Sequence, residues 1–395
     1  MPTTPPLRVA MIGTAFMGRA HSQAWRVAPR MFALPREVEM AVIVGRHPER
    51  TEAAARQMGW QEASTDWRAV VERPDIDIVD ICTPGDSHEE IALAALAAGK
   101  HVLCEKPLAN TVAEAERMAA AAREAAARGV VSMCGFSYRR TPAVALMQQI
   151  VAEGVLGDIR HVRAQYLQDW ISDPEAPLTW RLDKEKAGSG ALGDIGAHII
   201  DSAQWVTDSL ITAVSAQLRT FVTTRPVLGD SVGLGGRGAA GGERGPVTVD
   251  DAAAFTASFD NGALGVFEAT RMALGRRNAN RIEVNGSTGS IAFDFERMNE
   301  LEYYDGRDQA GRQGFRRIQV TEPEHPYLEA WWPAGHGLGY EHAFVHEAVD
   351  LVRAIDSGEG IHPTFDDAAQ VQRVLAAVEA SAADESRLTA VEESK

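Results

Sequence analysis

The chain has 395 residues, 45% of them hydrophobic and 24% charged, which is the composition of a folded globular protein with room for two domains. Its 39 lysines and arginines against 55 aspartates and glutamates give a net charge of −16, the wrong sign for a surface that follows nucleic-acid phosphates. It has no run of about 18 apolar residues and no N-terminal basic region followed by an apolar stretch. We therefore expect a cytoplasmic protein with neither nucleic-acid nor membrane partners.

The three cysteines, Cys82, Cys104 and Cys134, end or lie in apolar runs that predict buried strands. Their wide spacing fits neither a disulfide framework nor a zinc site. We expect them to be small core residues in a reducing compartment.

The N-terminal third alternates short apolar runs with helix-like segments. The runs cover residues 7–12, 38–44, 77–82, 101–104 and 130–135, and the helix-like segments reach to about residue 29 and then cover 48–58, 87–98 and 111–127. Strands separated by helices of this length form parallel sheets, because each strand must return to the same edge by a crossover. Residues 1–137 are therefore predicted to be an α/β domain, a doubly wound parallel sheet of the Rossmann type that binds a dinucleotide.

Beyond Pro142 the pattern changes to that of an α+β domain. A helix at about 141–153 and a strand-like run at 159–168 precede a tryptophan-rich loop, a helix opening near Asp194, and strand-like runs at 211–223, 252–260, 263–272, 280–285, 289–295 and 299–304. Glycine-containing turns between several of these runs favour antiparallel hairpins. We predict a second domain over 138–395, with a large, mostly antiparallel open sheet that binds substrate and mediates oligomerisation.

Two further features belong to this second domain. Residues 228–245 are nearly all Gly, Ala, Ser, Arg and Asp, too poor in apolar residues to pack, so we predict a flexible insertion. Helices are predicted at about 340–357 and 366–383. A C-terminal helix that packs back against the Rossmann domain is compatible with this pattern. On the first of these two helices, His342 and His346 with neighbouring glutamates are expected to form an exposed face and not a metal site.

The turn after the first strand reads Gly13-Thr-Ala-Phe-Met-Gly18, a dinucleotide fingerprint in which alanine replaces the middle glycine. The first position needs a tight turn, the second a small side chain beside the pyrophosphate, and the third close packing of helix on strand. The helix that follows offers its first N–H groups to phosphate oxygens. We predict that the dinucleotide is bound by Gly13, Ala15, Phe16, Met17 and Gly18. A merely tight turn is the alternative.

The end of the second strand reads Val44-Gly45-Arg46-His47 and lacks the acidic residue that binds the ribose hydroxyls of NAD. An arginine at this place accommodates the 2′-phosphate of NADP. We therefore predict NAD or NADP as the cofactor, bound through Gly45 and Arg46, with NADP favoured. The alternative is that Arg46 is a solvated loop charge.

Two further groups of residues follow apolar runs at the expected carboxyl ends of parallel strands, where open α/β sheets bind their ligands. Thr83, Pro84 and His88 follow the run 77–82, and Glu105 and Lys106 follow the run 101–104. We predict that all five residues contact the cofactor.

Asp194 and His198 lie four residues apart on a predicted helix, so both side chains project from one face. Oxidation of a secondary alcohol needs a base for the hydroxyl proton, and imidazole titrates near the working pH. We predict His198 as that base, Asp194 as a hydrogen-bonding partner of the substrate, and Lys106 as the cation beside the developing alkoxide. The alternative is a surface or capped Asp/His pair.

With Glu-Lys-Pro at residues 105–107, the chain resembles the glucose–fructose oxidoreductase/inositol dehydrogenase (Gfo/Idh/MocA) family, which has this tripeptide as its hallmark. The resemblance runs from residue 7 to about residue 383 and rests also on the fingerprint turn and on Asp194-Ile-Gly-Ala-His198. It implies a Rossmann domain followed by a large-sheet domain. It also maps the family's Lys-Asp-His set onto Lys106, Asp194 and His198.

Within that family, the stretches Tyr166-Leu-Gln-Asp-Trp170 and Gly188-Ser-Gly-Ala-Leu-Gly-Asp194 look most like the branch that oxidises an anhydro-sugar, levoglucosan, at C3. Trp180 and Arg181 resemble a family pair that approaches the cofactor, with loop packing as the alternative.

Aromatic rings pack against the C–H-rich faces of sugars, while polar groups fix the hydroxyls. Besides Lys106, Asp194 and His198, the predicted substrate contacts are Tyr138, Gln168, Trp170 and Tyr340. Core packing is the alternative for each of these four.

We therefore predict an NAD(P)-dependent dehydrogenase that oxidises a secondary hydroxyl of a sugar, anhydro-sugar or cyclitol such as inositol to a ketone by hydride transfer. One alternative is a redox-neutral glycoside hydrolase or lyase that retains its NAD, and a second is a non-catalytic nucleotide-binding regulator. An open sheet covered by helices on one face leaves its other face apolar unless a subunit covers it. We accordingly expect a homotetramer or homodimer formed through the C-terminal sheet.

Overall fold

A computed structural model describes residues 5–227 and 243–392 of the chain. The chain divides into two units, the first combining Met1–Arg140 with Gly339–Ala369 and the second combining Thr141–Leu338 with Gln370–Lys395. We propose these units as the two domains of the protein, with the late segment 339–369 belonging to the first.

Six parallel strands form the sheet of the first unit. Its strands and helices are β1 (Leu7–Ile12), α1 (Phe16–Met31), β2 (Val38–Val44), α2 (Pro48–Met58), β3 (Glu62–Ser64), α3 (Trp67–Val71), β4 (Ile78–Ile81), α4 (His88–Ala97), β5 (His101–Glu105), α5 (Val112–Ala126) and β6 (Ser132–Gly135). The strand order is β3-β2-β1-β4-β5-β6, and every pairing is parallel. The predicted doubly wound Rossmann sheet is confirmed. The sequence does not predict β3 and α3, which are only three and five residues long.

The central strands of this sheet read as continuous apolar runs because helices cover both faces of a parallel sheet. All four residues of β4 are buried, and one of them is a carboxylate, Asp80. The strand order reverses between β1 and β4, which makes the carboxyl ends of β1, β4 and β5 the place where such sheets bind ligands. The fingerprint turn and the segments that begin at Thr83 and Lys106 all follow these three ends.

The rest of the described chain contains a nine-stranded sheet, a separate two-stranded sheet and five helices. Its elements are α6 (Pro142–Ala152), β7 (Ile159–Leu167), α7 (Lys184–Ala187), α8 (Ala197–Thr207), β8 (Ile211–Arg219), β9 (Thr224–Pro226), β10 (Arg244–Pro246), β11 (Ala252–Phe259), β12 (Leu264–Thr270), β13 (Ala279–Gly286), β14 (Gly289–Asp294), β15 (Glu300–Asp305), β16 (Arg316–Gln319), α9 (His342–Ser357), α10 (Phe365–Ala383) and β17 (Thr389–Ala390). Strands β9 and β10 form the two-stranded sheet, and α9 belongs to the first unit. The strand order of the nine-stranded sheet is β16-β15-β14-β13-β7-β12-β11-β8-β17, in which β7 and β12 are parallel and the other pairs antiparallel. The predicted mostly antiparallel open sheet is confirmed.

The predicted insertion at 228–245 needs a correction at its end. Residues 228–242 lie outside the described part of the chain. Arg244–Pro246 form β10, which pairs with β9, and the Arg244 guanidinium donates to both carboxylate oxygens of Glu175 at 3.0 and 3.1 Å. Backbone pairing and this ion pair therefore order the last residues of a segment whose composition predicts no packing.

Helix α9 lies in the first unit, where it packs against α1. The predicted exposed face on this helix is wrong for two of its residues, because His346 and Glu347 are 0% and 1% exposed. The His346 ring contacts the carbonyl oxygen of Arg140 through Nδ1 at 2.8 Å.

Other expectations concern burial and membrane crossing. The three cysteines are free and buried, as predicted. Among residues 5–227 and 243–392, none of the helices has the length and apolar character needed to cross a membrane.

Candidate active site

The turn between β1 and α1 is closed by two glycines that leave no room for a side chain. Gly13 has a φ of +127°, and a Cβ there would lie 2.6 Å from the carbonyl oxygen of Cys82. A Cβ on Gly18 would lie 2.1 Å from the carbonyl oxygen of Gly13. The first approach packs the turn against the end of β4 and the second packs α1 against the turn, as a dinucleotide cradle requires.

The start of α1 is suited to an anion. Ala15 precedes the helix and, being alanine, has no side chain that caps the first N–H groups. Phe16 is half exposed at 51%, and Met17 is partly buried. Because the residues of this first turn are not acidic, its N–H groups and the positive end of the helix dipole fit the pyrophosphate of a dinucleotide.

At the carboxyl end of β2, Gly45 and Arg46 differ in their surroundings. A Cβ on Gly45 would come within 2.5 Å of the Thr51 hydroxyl, so this position accepts only glycine without a rearrangement. Arg46 is exposed to solvent.

His88 joins the two loops that follow β4 and β5. It is 1% exposed, with Nε2 2.8 Å from the carbonyl oxygen of Thr83 and Nδ1 3.0 Å from that of Pro107. Burial lowers the pKa of His88, while the contacts with the two carbonyls act in the opposite direction. The Thr83 hydroxyl accepts a hydrogen bond from Ser87 Oγ at 2.8 Å, and Pro84 is partly buried beside it. His88 therefore lies behind the surface that Thr83 and Pro84 present, with both ring nitrogens engaged by the protein.

Glu105 is the last residue of β5 and is buried, whereas Lys106 is partly buried. The backbone N–H of Lys106 donates to Glu105 Oε2 at 3.1 Å. His21, on α1, places Nε2 2.9 Å from Glu105 Oε1 and Nδ1 3.0 Å from both carboxylate oxygens of Asp80. Neither His21 nor Asp80 is predicted from the sequence, although an aspartate inside the apolar strand Ile78–Ile81 is a signal for a functional role.

Helix α9 covers this network from one side. The Phe344 ring lies 5.4 Å from the His21 ring, and Tyr340 packs edge-on against Phe344 and stacks on Phe16 at 6.2 Å. Burial raises the pKa of the Tyr340 hydroxyl, and the neighbouring Tyr138 and Glu105 add to that shift. Tyr340 is therefore at the fingerprint turn, and Tyr138 is a buried residue of the same unit.

Asp194 and His198 lie at the head of α8 in the second unit. Asp194 belongs to a π-helical turn, Leu192–Gly196, that runs directly into α8, so the helix predicted to open near Asp194 is present and begins as a π-helix. Asp250 holds the start of this turn, because its two carboxylate oxygens accept hydrogen bonds from the N–H groups of Gly190 and Leu192 at 2.7 and 2.8 Å. His198 is 7% exposed, with its ring 5.9 Å from the ring of Tyr166.

A buried arginine that is not among the predicted site residues holds Asp194. The Arg271 side chain is 0% exposed, and its Nη1 lies 3.2 Å from Asp194 Oδ2. Its Nη2 donates to the carbonyl oxygen of Asp250 at 3.4 Å, and the guanidinium lies 5.6 Å from the centre of the Trp170 ring. The signal in the sequence is the charged residue that directly follows β12.

Arg181 and Trp180 form a short 3₁₀ turn in the same unit. The Arg181 guanidinium lies 4.4 Å over the Trp180 ring, which is 37% exposed. Burial lowers the pKa of Arg181, while the charge of Asp194 acts against this shift. The pair therefore lies close enough to Asp194 to contribute to its electrostatic environment.

Gln168 and Trp170 are linked by hydrogen bonds. Trp170 Nε1 donates to Gln168 Oε1 at 2.9 Å, and Gln168 Nε2 donates to Asn278 Oδ1 at 2.7 Å. The same Asn278 oxygen accepts from the Tyr166 hydroxyl at 2.7 Å. Both predicted substrate residues are only partly buried, so each keeps surface for a ligand.

The predicted residues thus fall into two groups. The first unit carries the dinucleotide set together with Lys106, Tyr138 and Tyr340, and the second carries Gln168, Trp170, Trp180, Arg181, Asp194 and His198. In the first unit, His21, Asp80 and Cys82 also bring three possible metal-ligand atoms within 4.8 Å of one another. Because both nitrogens of His21 already contact carboxylates, hydrogen bonding accounts for this cluster and we assign no metal to it.

Two family profiles match the chain. The oxidoreductase family with an NAD-binding Rossmann fold matches residues 7–133, and the GFO/IDH/MocA C-terminal domain matches residues 144–292.

Proteins similar to the chain include levoglucosan dehydrogenase of Pseudarthrobacter phenanthrenivorans, which is 45% identical over 96% of this chain and 97% of its own length. A solved structure of levoglucosan dehydrogenase in complex with NADH and levoglucosan has a TM-score of 0.91 and 43% identity, over 98% of this chain and 100% of that one. An oxidoreductase domain protein from Kribbella flavida has a TM-score of 0.94 and 60% identity, over 99% of this chain and 100% of that one.

Proposed function

Because the chain belongs to the Gfo/Idh/MocA family of oxidoreductases, we propose that it oxidises a secondary hydroxyl of an anhydro-sugar of the levoglucosan class to a ketone, with a nicotinamide dinucleotide as hydride acceptor. The predicted family and the predicted dehydrogenase class are confirmed by the matches. One observation carries the choice of substrate class: a relative 45% identical over 96% of this chain is a levoglucosan dehydrogenase.

The proposed roles divide the reaction among three side chains. The bound nicotinamide supplies the carbon that accepts the hydride. His198 takes the hydroxyl proton as the C–H hydride leaves the same carbon, which yields a ketone, reduced dinucleotide and a proton that His198 returns to solvent. The Lys106 ammonium stabilises the negative charge that develops on the oxygen. Asp194, held by Arg271, accepts a hydrogen bond from a sugar hydroxyl.

Gln168 and Trp170 are the proposed sugar contacts of the second unit. The hydrogen bonds to Asn278 and between the two residues fix the orientation of the Gln168 amide, which favours recognition of one hydroxyl arrangement over another. Tyr138 and Tyr340 stay predicted substrate contacts. The stack of Tyr340 on Phe16 also supports a role for Tyr340 beside the dinucleotide.

The choice between NAD and NADP is the finer part of the cofactor proposal. A relative bound to NADH argues for NAD, whereas the exposed Arg46 after β2 argues for NADP. We keep the sequence-based preference for NADP as the proposal. It requires that Arg46→Ala weakens NADP binding and leaves NAD binding unchanged.

The test is the absorbance of reduced nicotinamide, recorded with levoglucosan, glucose, inositols and glycosides and with NAD or NADP supplied separately. We expect reduction with levoglucosan, a much slower but still measurable reduction in Lys106→Ala and His198→Ala, and the parental rate in His161→Ala, which replaces an exposed histidine. A flat trace with every sugar would refute the proposal. If nicotinamide were then released only on denaturation, the redox-neutral hydrolase or lyase would replace it, and binding without any turnover would favour the regulator.

We also propose a homodimer or homotetramer formed through the nine-stranded sheet. The expected apolar outer face is only partly correct, because Leu264 and Val266 are each 48% exposed whereas the neighbouring strand β7 exposes Arg163, which pairs with Glu283. Light scattering after size exclusion is the test. We expect Val266→Arg to shift the protein to a smaller species, and a monomeric parent protein would contradict the proposal. A cytoplasmic location stays a prediction of the sequence.

A further inference from the structure

A buried histidine stands directly behind the Glu-Lys-Pro turn and is not used by the proposed hydride transfer. The His21 side chain is 2% exposed and bridges Asp80 and Glu105, whose side chains are 0% and 5% exposed. Trp25 Nε1 donates to Asp80 Oδ2 at 2.7 Å and fixes the far end of the bridge. The three polar side chains and the indole thus form one continuous chain of hydrogen bonds inside the first unit.

The two oxygens of Glu105 have different partners. Oε1 lies 2.9 Å from Nε2 of His21, and Oε2 accepts the backbone N–H of Lys106 at 3.1 Å. Because a carboxyl group stands at each ring nitrogen, the geometry favours an imidazolium that donates from both nitrogens. Burial is the largest single influence and lowers the pKa of His21, but the charge of Asp80, the hydrogen bond to it and the neighbouring Cys82 together outweigh burial, so the pKa is raised well above its usual value.

Burial of these charged groups lowers the free energy of unfolding. Two carboxylates and one imidazolium are buried together, and desolvation of buried ion pairs often cancels their attraction, so such groups are poor sources of stability. What the arrangement does provide is a fixed position for the carboxylate that holds the Lys106 backbone. A displacement of about 1 Å in a reacting group costs about 100-fold in rate.

We propose that His21 is a positioning residue that holds Lys106 in its catalytic place through Glu105. This proposal rests on the proposed function, in which Lys106 acts on the substrate oxygen. His21 itself touches neither substrate nor cofactor in this scheme.

The test is a double-mutant cycle with His21→Asn and Lys106→Ala, measured as kcat, KM for the sugar and Kd for the dinucleotide. We expect His21→Asn to lower kcat by about 10- to 100-fold while the dinucleotide Kd changes by less than about threefold. In the Lys106→Ala background, His21→Asn is expected to lower kcat by less than about twofold, because the lysine that His21 positions is gone. His346→Asn, a replacement of another fully buried histidine of the same unit, is the matched control and should leave kcat unchanged.

Two results would overturn the proposal. One is an undiminished effect of His21→Asn in the Lys106→Ala background, and the other is a loss confined to dinucleotide affinity, which would mean that His21 only supports α1. A Lys106→Ala enzyme with full activity would instead refute the proposed function.

Should His21→Asn fail to fold, Asp80→Asn takes its place in the cycle, since it keeps the size of the side chain and removes the charge. The same non-additivity with Lys106→Ala is expected for it.

Discussion

Replacement of Arg271 by methionine should slow catalysis while leaving the fold nearly as stable as before. The guanidinium is fully buried and lies 3.2 Å from Asp194 Oδ2, whereas the Asp194 side chain is 32% exposed. After the substitution, water can solvate the exposed part of Asp194, and an apolar side chain of similar length fills the buried space. Removal of one partner of a buried ion pair is costly when the other charge stays buried, but the partial exposure of Asp194 limits that cost here. The carboxylate, however, loses the contact that fixes its position.

The expected size of the effect follows from the type of contact. A hydrogen bond to a charged group contributes about 1.5–3 kcal/mol, and about 1.4 kcal/mol corresponds to tenfold in rate. Arg271→Met should therefore lower kcat/KM for the sugar by about 10- to 100-fold, with the dinucleotide Kd unchanged. Arg271→Lys keeps the cation but not the planar fork, so an intermediate loss is expected.

The assay is steady-state reduction of the dinucleotide, alongside urea unfolding of each variant. Parental kcat/KM in Arg271→Met would refute the role assigned to this arginine. So would an equally large loss when Arg271→Met is made in an Asp194→Asn background, because Arg271 would then act on something other than Asp194.

Three further changes test other parts of the structure. Gly13→Ala should abolish dinucleotide binding in a fluorescence titration, whereas Gly99→Ala, with φ of +74° and nothing within 4 Å of the added Cβ, should bind normally. Asp250→Asn should lower the free energy of unfolding in urea by about 0.5–2 kcal/mol, because an amide cannot accept both of the N–H groups that the carboxylate caps; an unchanged midpoint would contradict this. Burial raises the pKa of Glu347 from 4.5 to about 8. Between these two pH values the carboxyl group is ionised in the unfolded chain but protonated in the folded one. The free energy of unfolding therefore falls as the pH rises from 4.5 to about 8, by about 1.4 kcal/mol per pH unit. Glu347→Gln should therefore gain stability relative to the parent between those pH values, and parallel urea midpoints across the range would show the idea to be wrong.

The fold class was predictable because the two sheets leave different patterns in the sequence. The strands of the first sheet are covered on both faces and read as continuous apolar runs, whereas β11 alternates buried and exposed residues. Short elements escape such pattern arguments: β3 has three residues, and β10 has the composition of a loop and forms because it pairs with β9. Register and pairing of this kind depend on contacts distant in the sequence, which periodicity does not contain.

The candidate site was predictable only in part. Residues next to strand ends could be selected because topology brings the carboxyl ends of parallel strands to one edge, which led to Glu105 and Lys106. The residue that holds Glu105 could not be selected in this way. His21 lies on a helix 84 positions away from Glu105, and the hydrogen bond between the two side chains exists only in the folded chain. Arg271 is 77 positions from Asp194 and escapes for the same reason.

The two units share one way of holding a candidate catalytic group. In the first, the Lys106 backbone is held by Glu105 and the buried His21, and in the second, Asp194 is held by the buried Arg271. Groups with full charges are used in both places although burial makes them costly, and apolar replacements of similar volume would be expected to fold at least as well. Selection for stability alone would therefore not retain them. Such charges are expected to be retained where a displaced lysine or carboxylate would lower the reaction rate seriously and the loss of stability is tolerable. The Arg271 and His21 experiments both test this exchange of stability for activity.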